Sequence, residues 1–350
     1  MPPDAEYTFK HALVQDAAYS TLLRSRRQQL HGRIAATLET QFTEIVAAQP
    51  ALMAQHCGEA GLTEKAVGYW LKAGQQAVSR SAMAEAVAQL ERGLGLLTTA
   101  PVSPEGRQQE LDLRIALGPA LIATKGYSSP EVGEAFAKAS ALAEQIDRSD
   151  VFVALLYGRW TYHLIRAEFR LALSFAERIE RLGETRNDGA VLLLGHLWHG
   201  IVFFFLGEFV AAYALFEQCH GLREPAVRQT CSELTAEDGY CMMLGYLGLT
   251  LTCLGHSDQA RARTDEALLE ARQLQHVYSV VASLQFKCFG SHLGNLNHVI
   301  GPHAEEMFDL ANEHGFPLWS ALALCYRGWW SLAVGHTGTR VGPARHCRSW

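Results

Sequence analysis

The sequence lacks the signatures of most enzymes. No GxxxxGK[ST] run occurs, so the chain has no phosphate-cradling P-loop of its own. GxGxxG after an apolar strand, HExxH and GxSxG are missing too, which removes the dinucleotide fingerprint, the zinc-protease pair and the hydrolase nucleophile elbow. The eight cysteines (Cys57, Cys219, Cys231, Cys241, Cys253, Cys288, Cys325, Cys347) include no CxxC, so neither a zinc ribbon nor a redox dithiol is encoded. Thiols scattered at apolar positions fit a reducing compartment. The start, MPPDAEYTFK, has no apolar core of a signal peptide, and a cytoplasmic protein is expected. Net charge is −6 and the pI about 6.2, which argues against the chain as a whole gripping nucleic acid. Proline and β-branched residues are sparse, and no stretch sustains the apolar-polar alternation of strands.

What is present is helix. Ala, Leu, Glu, Gln and Arg dominate, and apolar residues recur at helical spacing throughout. The richest apolar run, VLLLGHLWHGIVFFFLG at Val191 to Gly207, holds two histidines and is bounded by charge, so a buried helix is expected rather than a membrane span. A turn motif also repeats: a small residue, then an Ala five positions on. Gly207 leads to Ala212, Gly255 to Ala260, Ala167 to Ala172, and Gly61 to Ala66, with a weaker copy from Gly294 to Val299. The interval is about 40 residues, close to the helix-pair repeats of solenoids. A small residue lets two backbones meet at the turn, and the Ala sits where the second helix crosses the first.

These are marks of the tetratricopeptide repeat, here in a stretched form. The expected fold is all-α, a right-handed superhelical solenoid of antiparallel helix pairs. Its divisions are residues 1–49 as a helical junction, 50–97 as the first repeats, 98–106 as a Pro/Gly loop, 107–334 as the main solenoid and 335–350 as an aberrant tail. One helix is expected over 10–40. The stretch from Arg223 to Gly239 reads as an inserted loop, with Glu233, Glu237 and Asp238 as residues to watch. After Gly335 a helix with Ala near position 340 is due, yet TGTRVGPARHCRSW follows, which fits a truncated or frame-shifted reading frame and a disordered tail.

No reactive constellation stands out. His196 and His199 share a helix at i, i+3, but no cysteine or carboxylate follows at a fitting spacing, so packing or groove histidines are expected rather than a metal site. Glu177, Glu180 and Glu184 alternate with arginines as ordinary helix-surface charge. The aromatic and imidazole residues of successive first helices are the better candidates for binding. Trp160, His163, Trp198, His199, Phe203 and Tyr240 lie on elements that would line a concave groove, together with Tyr162, Phe204 and Tyr246. No cofactor and no metal is expected.

The opening segment FKHALVQDAAYSTLLRSRRQQLHGRIAATLE, the stretch GPALIATKGYSSPEV, the LGHSDQA turn and GFPLWSALALCYRGWWSLA together resemble a known family. It comprises large bacterial signalling proteins that join class III nucleotide cyclase domains, or a LuxR-type DNA-binding domain, to a signal-transducing ATPase and a tetratricopeptide tail. The resemblance covers the chain to about Gly335, and the second stretch is the one specific to the cyclase-linked branch. It implies a non-catalytic sensor or interaction region binding a peptide, protein or small effector, with the cyclase and ATPase modules elsewhere in the parent protein. No direct nucleic-acid or membrane partner is implied. The family's winged-helix region can present a histidine to nucleotide phosphates, a role for which His11 is the candidate. A LuxR-type regulator's effector-binding solenoid and a stand-alone scaffold are the alternative readings.

Overall fold

A computed structural model of the chain describes residue 19 and residues 21–80, 82–148, 151–220, 224–235 and 238–335. All regular structure among these is helical, with no strand. Contacts divide the chain into two units, Met1–Tyr162 and His163–Trp350.

The first unit runs α1 (Arg24–Gln41), α2 (Thr43–Ala48), α3 (Pro50–Glu59), α4 (Thr63–Ser79), α5 (Met83–Thr99), α6 (Pro104–Lys125), α7 (Pro130–Gln145) and most of α8 (Phe152–Ile165). In α4 the buried residues Ala66, Val67, Trp70, Ala73 and Ala77 recur at i, i+3 and i+4, the stripe that turns a helix into one face of a core. Around Leu111, Leu117 and Val132 the core closes on Phe136, whose ring occupies the space that side chains at Gly118 and Gly158 would need. The helix expected over 10–40 is broken at Thr21 to Leu23, where Leu23 is extended (ψ 143°), and nothing in the local sequence marks that break.

The second unit continues with α9 (Phe169–Arg186), α10 (Gly189–Leu206), α11 (Phe209–Cys219), α12 (Pro225–Thr235), α13 (Gly239–Cys253), α14 (Ser257–Gln273), α15 (Val277–Leu293), a 3₁₀ turn (Asn297–Val299), α16 (Gly301–Glu313) and α17 (Pro317–Ala333). The long apolar helix α10 passes by length and composition for a membrane span, but two thirds of it is buried among its neighbours. Here Arg223 to Gly239 departs from expectation. The stretch is not a loop but contains α12, whose Cys231 is fully buried. Proline at a helix's first position and an aspartate after its end are punctuation marks of a helix as much as of a loop.

The repeat has a definite backbone cause. Each first helix ends on a residue in the left-handed region: Ala167 (φ 56°), Gly207 (81°), Gly255 (85°) and Asn295 (56°). The next N–H closes the turn by reaching five residues back, from Glu168 to His163 O (2.9 Å), Glu208 to Phe203 O (2.9 Å), His256 to Leu251 O (2.9 Å) and Leu296 to Ser291 O (2.7 Å). This is the Schellman closure, which satisfies carbonyls a helix end would otherwise leave bare. Five residues past each turn, Ala172, Ala212 and Ala260 are buried at the crossing. The weaker copy is one residue later than the sequence places it. Gly294 has an ordinary φ of −77°, Asn295 makes the turn, and buried Ile300 rather than Val299 takes the crossing position. The helix expected beyond Gly335, and the aberrant tail, lie outside the described residues.

Candidate functional site

In the second unit α9 and α10 cross in close backbone contact. A side chain on Gly183 would come within 2.6 Å of Leu192 N, and one on Gly195 within 2.7 Å of Glu180 Cα. Both obstacles are backbone, so the two helices hold this approach only with glycine at both places. It sets Glu180 of α9 between two imidazoles of α10. His199 Nδ1 lies 2.9 Å from Glu180 Oε2 in a hydrogen bond. His196 Nδ1 lies 3.2 Å from Oε1, inside ion-pair range but outside hydrogen-bonding geometry. Burial holds the His196 imidazole below the ordinary histidine range, against the opposing pull of Glu180.

On α10 the side chains sort by face. Leu192, His199, Phe203 and Leu206 are partly open or exposed and spaced as one helical stripe, with exposed Phe205 beside its end. His199 leans against Phe203, with ring centres 4.6 Å apart. Trp198 points the other way and is 2% exposed, a core residue. The neighbouring first helix α13 carries a similar open set, Met242, Tyr246 and Cys253. At the end of α10, exposed Phe205 stacks on Phe169 (6.1 Å) and meets Tyr246 edge-on (6.4 Å).

The remaining sequence candidates fall elsewhere. Tyr240 is 2% exposed at the start of α13, where its hydroxyl reaches His220 Nδ1 (3.3 Å) and the Arg228 guanidinium lies over its ring at 5.0 Å. His163 closes the first turn of the unit, its Nδ1 2.6 Å from Glu168 Oε2 and its ring stacked on Phe175. That hydrogen bond, and then Arg166, hold the Glu168 carboxyl below the usual carboxylate range. Trp160, in the first unit, is buried beside Tyr157. Of the candidates, then, the structure brings together His199 and Phe203 on one open stripe and sets Trp198, Tyr240 and Trp160 into cores. His11 and Glu237 lie outside the described residues.

Sequence reasoning missed Glu180 as the shared partner of two histidines, because its spacing in α9 is that of a surface ladder. It also missed Arg228. From α12 that guanidinium forks onto Asp238 (3.0 Å to each oxygen) and reaches Glu270 (2.7 Å). Asp238 is therefore no solvated acidic residue. It is buried, accepts from Cys241 N (2.8 Å) as the cap of α13, and anchors α12 onto the unit. Glu233 is exposed and bonded to Gln229 within α12.

Helix pairs joined by Schellman turns at a near-constant interval define a helical-repeat protein of the tetratricopeptide type. No family model matches the chain. It is 26% identical, over 355 aligned residues, to an uncharacterized protein of Rhizobium meliloti (strain 1021); the alignment covers 99% of this chain and 33% of that protein. The chain thus spans about a third of the length of the curated relative it matches. Among solved structures it is similar to the apo form of RapI, at 12% identity and a TM-score of 0.54, covering 77% of this chain and 97% of that one. It is also similar to a signal-transduction ATPase with numerous domains and a tetratricopeptide repeat sensor from Pyrococcus horikoshii, at 13% identity, covering 89% of this chain and 45% of that one. The TM-score there is 0.49. The first of these likenesses establishes the fold.

Proposed function

We propose that the chain is a non-catalytic sensor or protein-interaction region of a longer signalling protein, cyclase- or ATPase-linked, and that it binds a peptide, protein or small effector on its first helices. The observation that carries this reading is the open stripe of α10, Leu192, His199, Phe203 and Leu206, next to Met242 and Tyr246 of α13. Apolar and aromatic side chains with a few placed polar atoms are what a recognition surface needs, and here Glu180 fixes the His199 ring within it. Residues 1–49 would serve as the junction to the preceding modules. The length of the Rhizobium relative is consistent with such additional parts.

Two measurements test the reading. A photo-crosslinking residue at position 203 should yield a discrete adduct in lysate of the source cells, and the same residue at exposed Val102 should not. Equal labelling at both positions would remove the groove. The linkage is tested by the flanking genomic sequence, which should encode an ATPase P-loop in the same reading frame.

A further inference from the structure

A cavity of about 420 Å³ opens in the second unit at the turns that join α13 to α14 and α15 to α16. It uses none of the residues of the proposed groove. Its walls are the end of α13, the first turns of α14, the last turns of α15, and the 3₁₀ turn with the start of α16. Arg261, Lys287, His298 and His303 line it together with the hydroxyls of Ser257 and Ser291, and no carboxylate does.

The charged side chains of the lining itself are cationic, and their carboxylate partners stand outside it. The Lys287 side chain is only 11% exposed and pairs with Asp265, which is 57% exposed and outside the lining. Arg261 is 64% exposed, and its nearest carboxylate, Asp258, stands 3.8 Å away with a fully exposed side chain. Pairs of that exposure are weak in water. An ammonium in a low-dielectric wall, with one solvated partner and three N–H donors, attracts an anion more strongly than a surface lysine does. The charges of Lys287 and Arg272 act on His303 against those of Glu306 and Asp265; burial first, then Lys287, holds its imidazole below the ordinary range. The helix α14 begins at Ser257 with no side-chain cap on its first amides, and Ser257 is part of the lining. Gly290 in the floor keeps the volume open, its missing Cβ having only Leu249 (3.6 Å) and Thr252 (3.9 Å) for neighbours.

We propose that this cavity binds a small phosphate-bearing ligand, with Arg261 and Lys287 as its charged contacts and Ser257, Ser291 and His303 as hydrogen-bonding partners. Donors arrive from several walls, which suits a tetrahedral oxyanion better than a planar carboxylate. The volume exceeds a phosphate and leaves room for the group that carries it.

The test is calorimetric titration of the 350-residue chain with inorganic phosphate, with glycerol 2-phosphate and with acetate, ionic strength being held constant with sodium chloride. Saturable binding of phosphate or of the ester, at least tenfold tighter than acetate, is expected. Tighter binding of the ester assigns the site to a phosphorylated metabolite, and equal binding assigns it to free phosphate. Arg261→Ala and Lys287→Met should each weaken binding about tenfold, and Gly290→Leu should abolish it. Asp265→Asn, which frees Lys287, should leave it equal or tighter. In NMR, bound phosphate should move the His303 titration upward. Absence of saturable binding, acetate binding as tight as phosphate, or full affinity in Arg261→Ala would overturn the proposal. Should Lys287→Met fail to fold, exposed Arg261 and the Gly290 variant still decide it.

Discussion

At the scale of single residues, burial separates side chains that look alike in sequence. Trp198 and Phe203 lie on one helix, yet one is core and the other is on the open stripe. Trp198→Ala should cost about 3–5 kcal/mol of stability, whereas Phe203→Ala should cost less than half as much and act on binding; urea denaturation followed by circular dichroism separates the two. Asp238 gives a second case. Its removal would leave the Arg228 guanidinium, only 12% exposed at the side chain, with one of its two carboxylates and α13 without its cap. Asp238→Ala is expected to cost about 3–5 kcal/mol, while exposed Glu233→Ala should be nearly neutral in the same assay. Ala167 holds the left-handed turn that Gly207 and Gly255 hold without strain. Ala167→Gly should therefore stabilise the protein by about 1 kcal/mol, read as a rise in the urea midpoint.

At the scale of elements, the α9–α10 crossing shows how backbone approach creates side-chain chemistry. Two glycines allow the contact, and the contact delivers Glu180 to His199 and His196. Gly195→Ala must push α10 away from the α9 backbone, because a methyl at 2.7 Å from Glu180 Cα has no flexible neighbour to displace. Its cost should reach about 1–3 kcal/mol. Helices in the unit contact their neighbours a few elements along the chain, so the damage should stay local. Hydrogen exchange should quicken in α9 to α11 and stay within about twofold of wild type in α4 and α5. Uniform acceleration would show that the array unfolds as one cooperative body. Element α12 makes a related point: a stretch that interrupts the repeat interval became a helix because Arg228 and buried Cys231 gave it a face to bury.

At the scale of the whole molecule, three histidines among the described residues bear on the pH dependence of stability. His56, His196 and His303 all have pKa values lowered first by burial. At His56 a second imidazole adds to this, His31 Nδ1 lying 2.8 Å from His56 Nδ1, so that one of the two nitrogens must act as acceptor. A lowered folded-state value means that the unfolded chain takes the proton first. Stability is then complete above the ordinary histidine value of about 6.5 and is lost as pH falls through it toward the folded values. The lowered carboxylates Glu39 and Glu168 act in the same direction, the unfolded chain taking the proton first, but they matter only near and below the ordinary carboxylate range. The urea midpoint should be lower at pH 5.5 than at pH 7.5, and His196→Gln should shrink that difference. An unchanged difference in the variant would mean that His196 keeps its ordinary affinity for protons.

The all-helical class, the repeat interval and most turns were legible in the sequence, because a Schellman turn with an Ala crossing five residues on is a local, composition-bound device. Asn295 was misread as Gly294 for the same reason: any of several small or polar residues can take the left-handed position, and only the backbone shows which does. The open stripe was half legible. Helical spacing placed His199 and Phe203 on a first helix, but periodicity cannot tell the two faces of a helix as apolar as α10. Partnerships between distant residues were not legible at all. Glu180 looks like any helix-surface glutamate, and Lys287 like any lysine, until the crossing of two helices or the meeting of two turns puts them beside groups about twenty residues away. Local backbone chemistry thus determined that the chain would be a row of helix pairs. Which of its charges are buried, shared or turned toward a cavity was decided by packing between elements, since burial is a property of the neighbours and not of the residue.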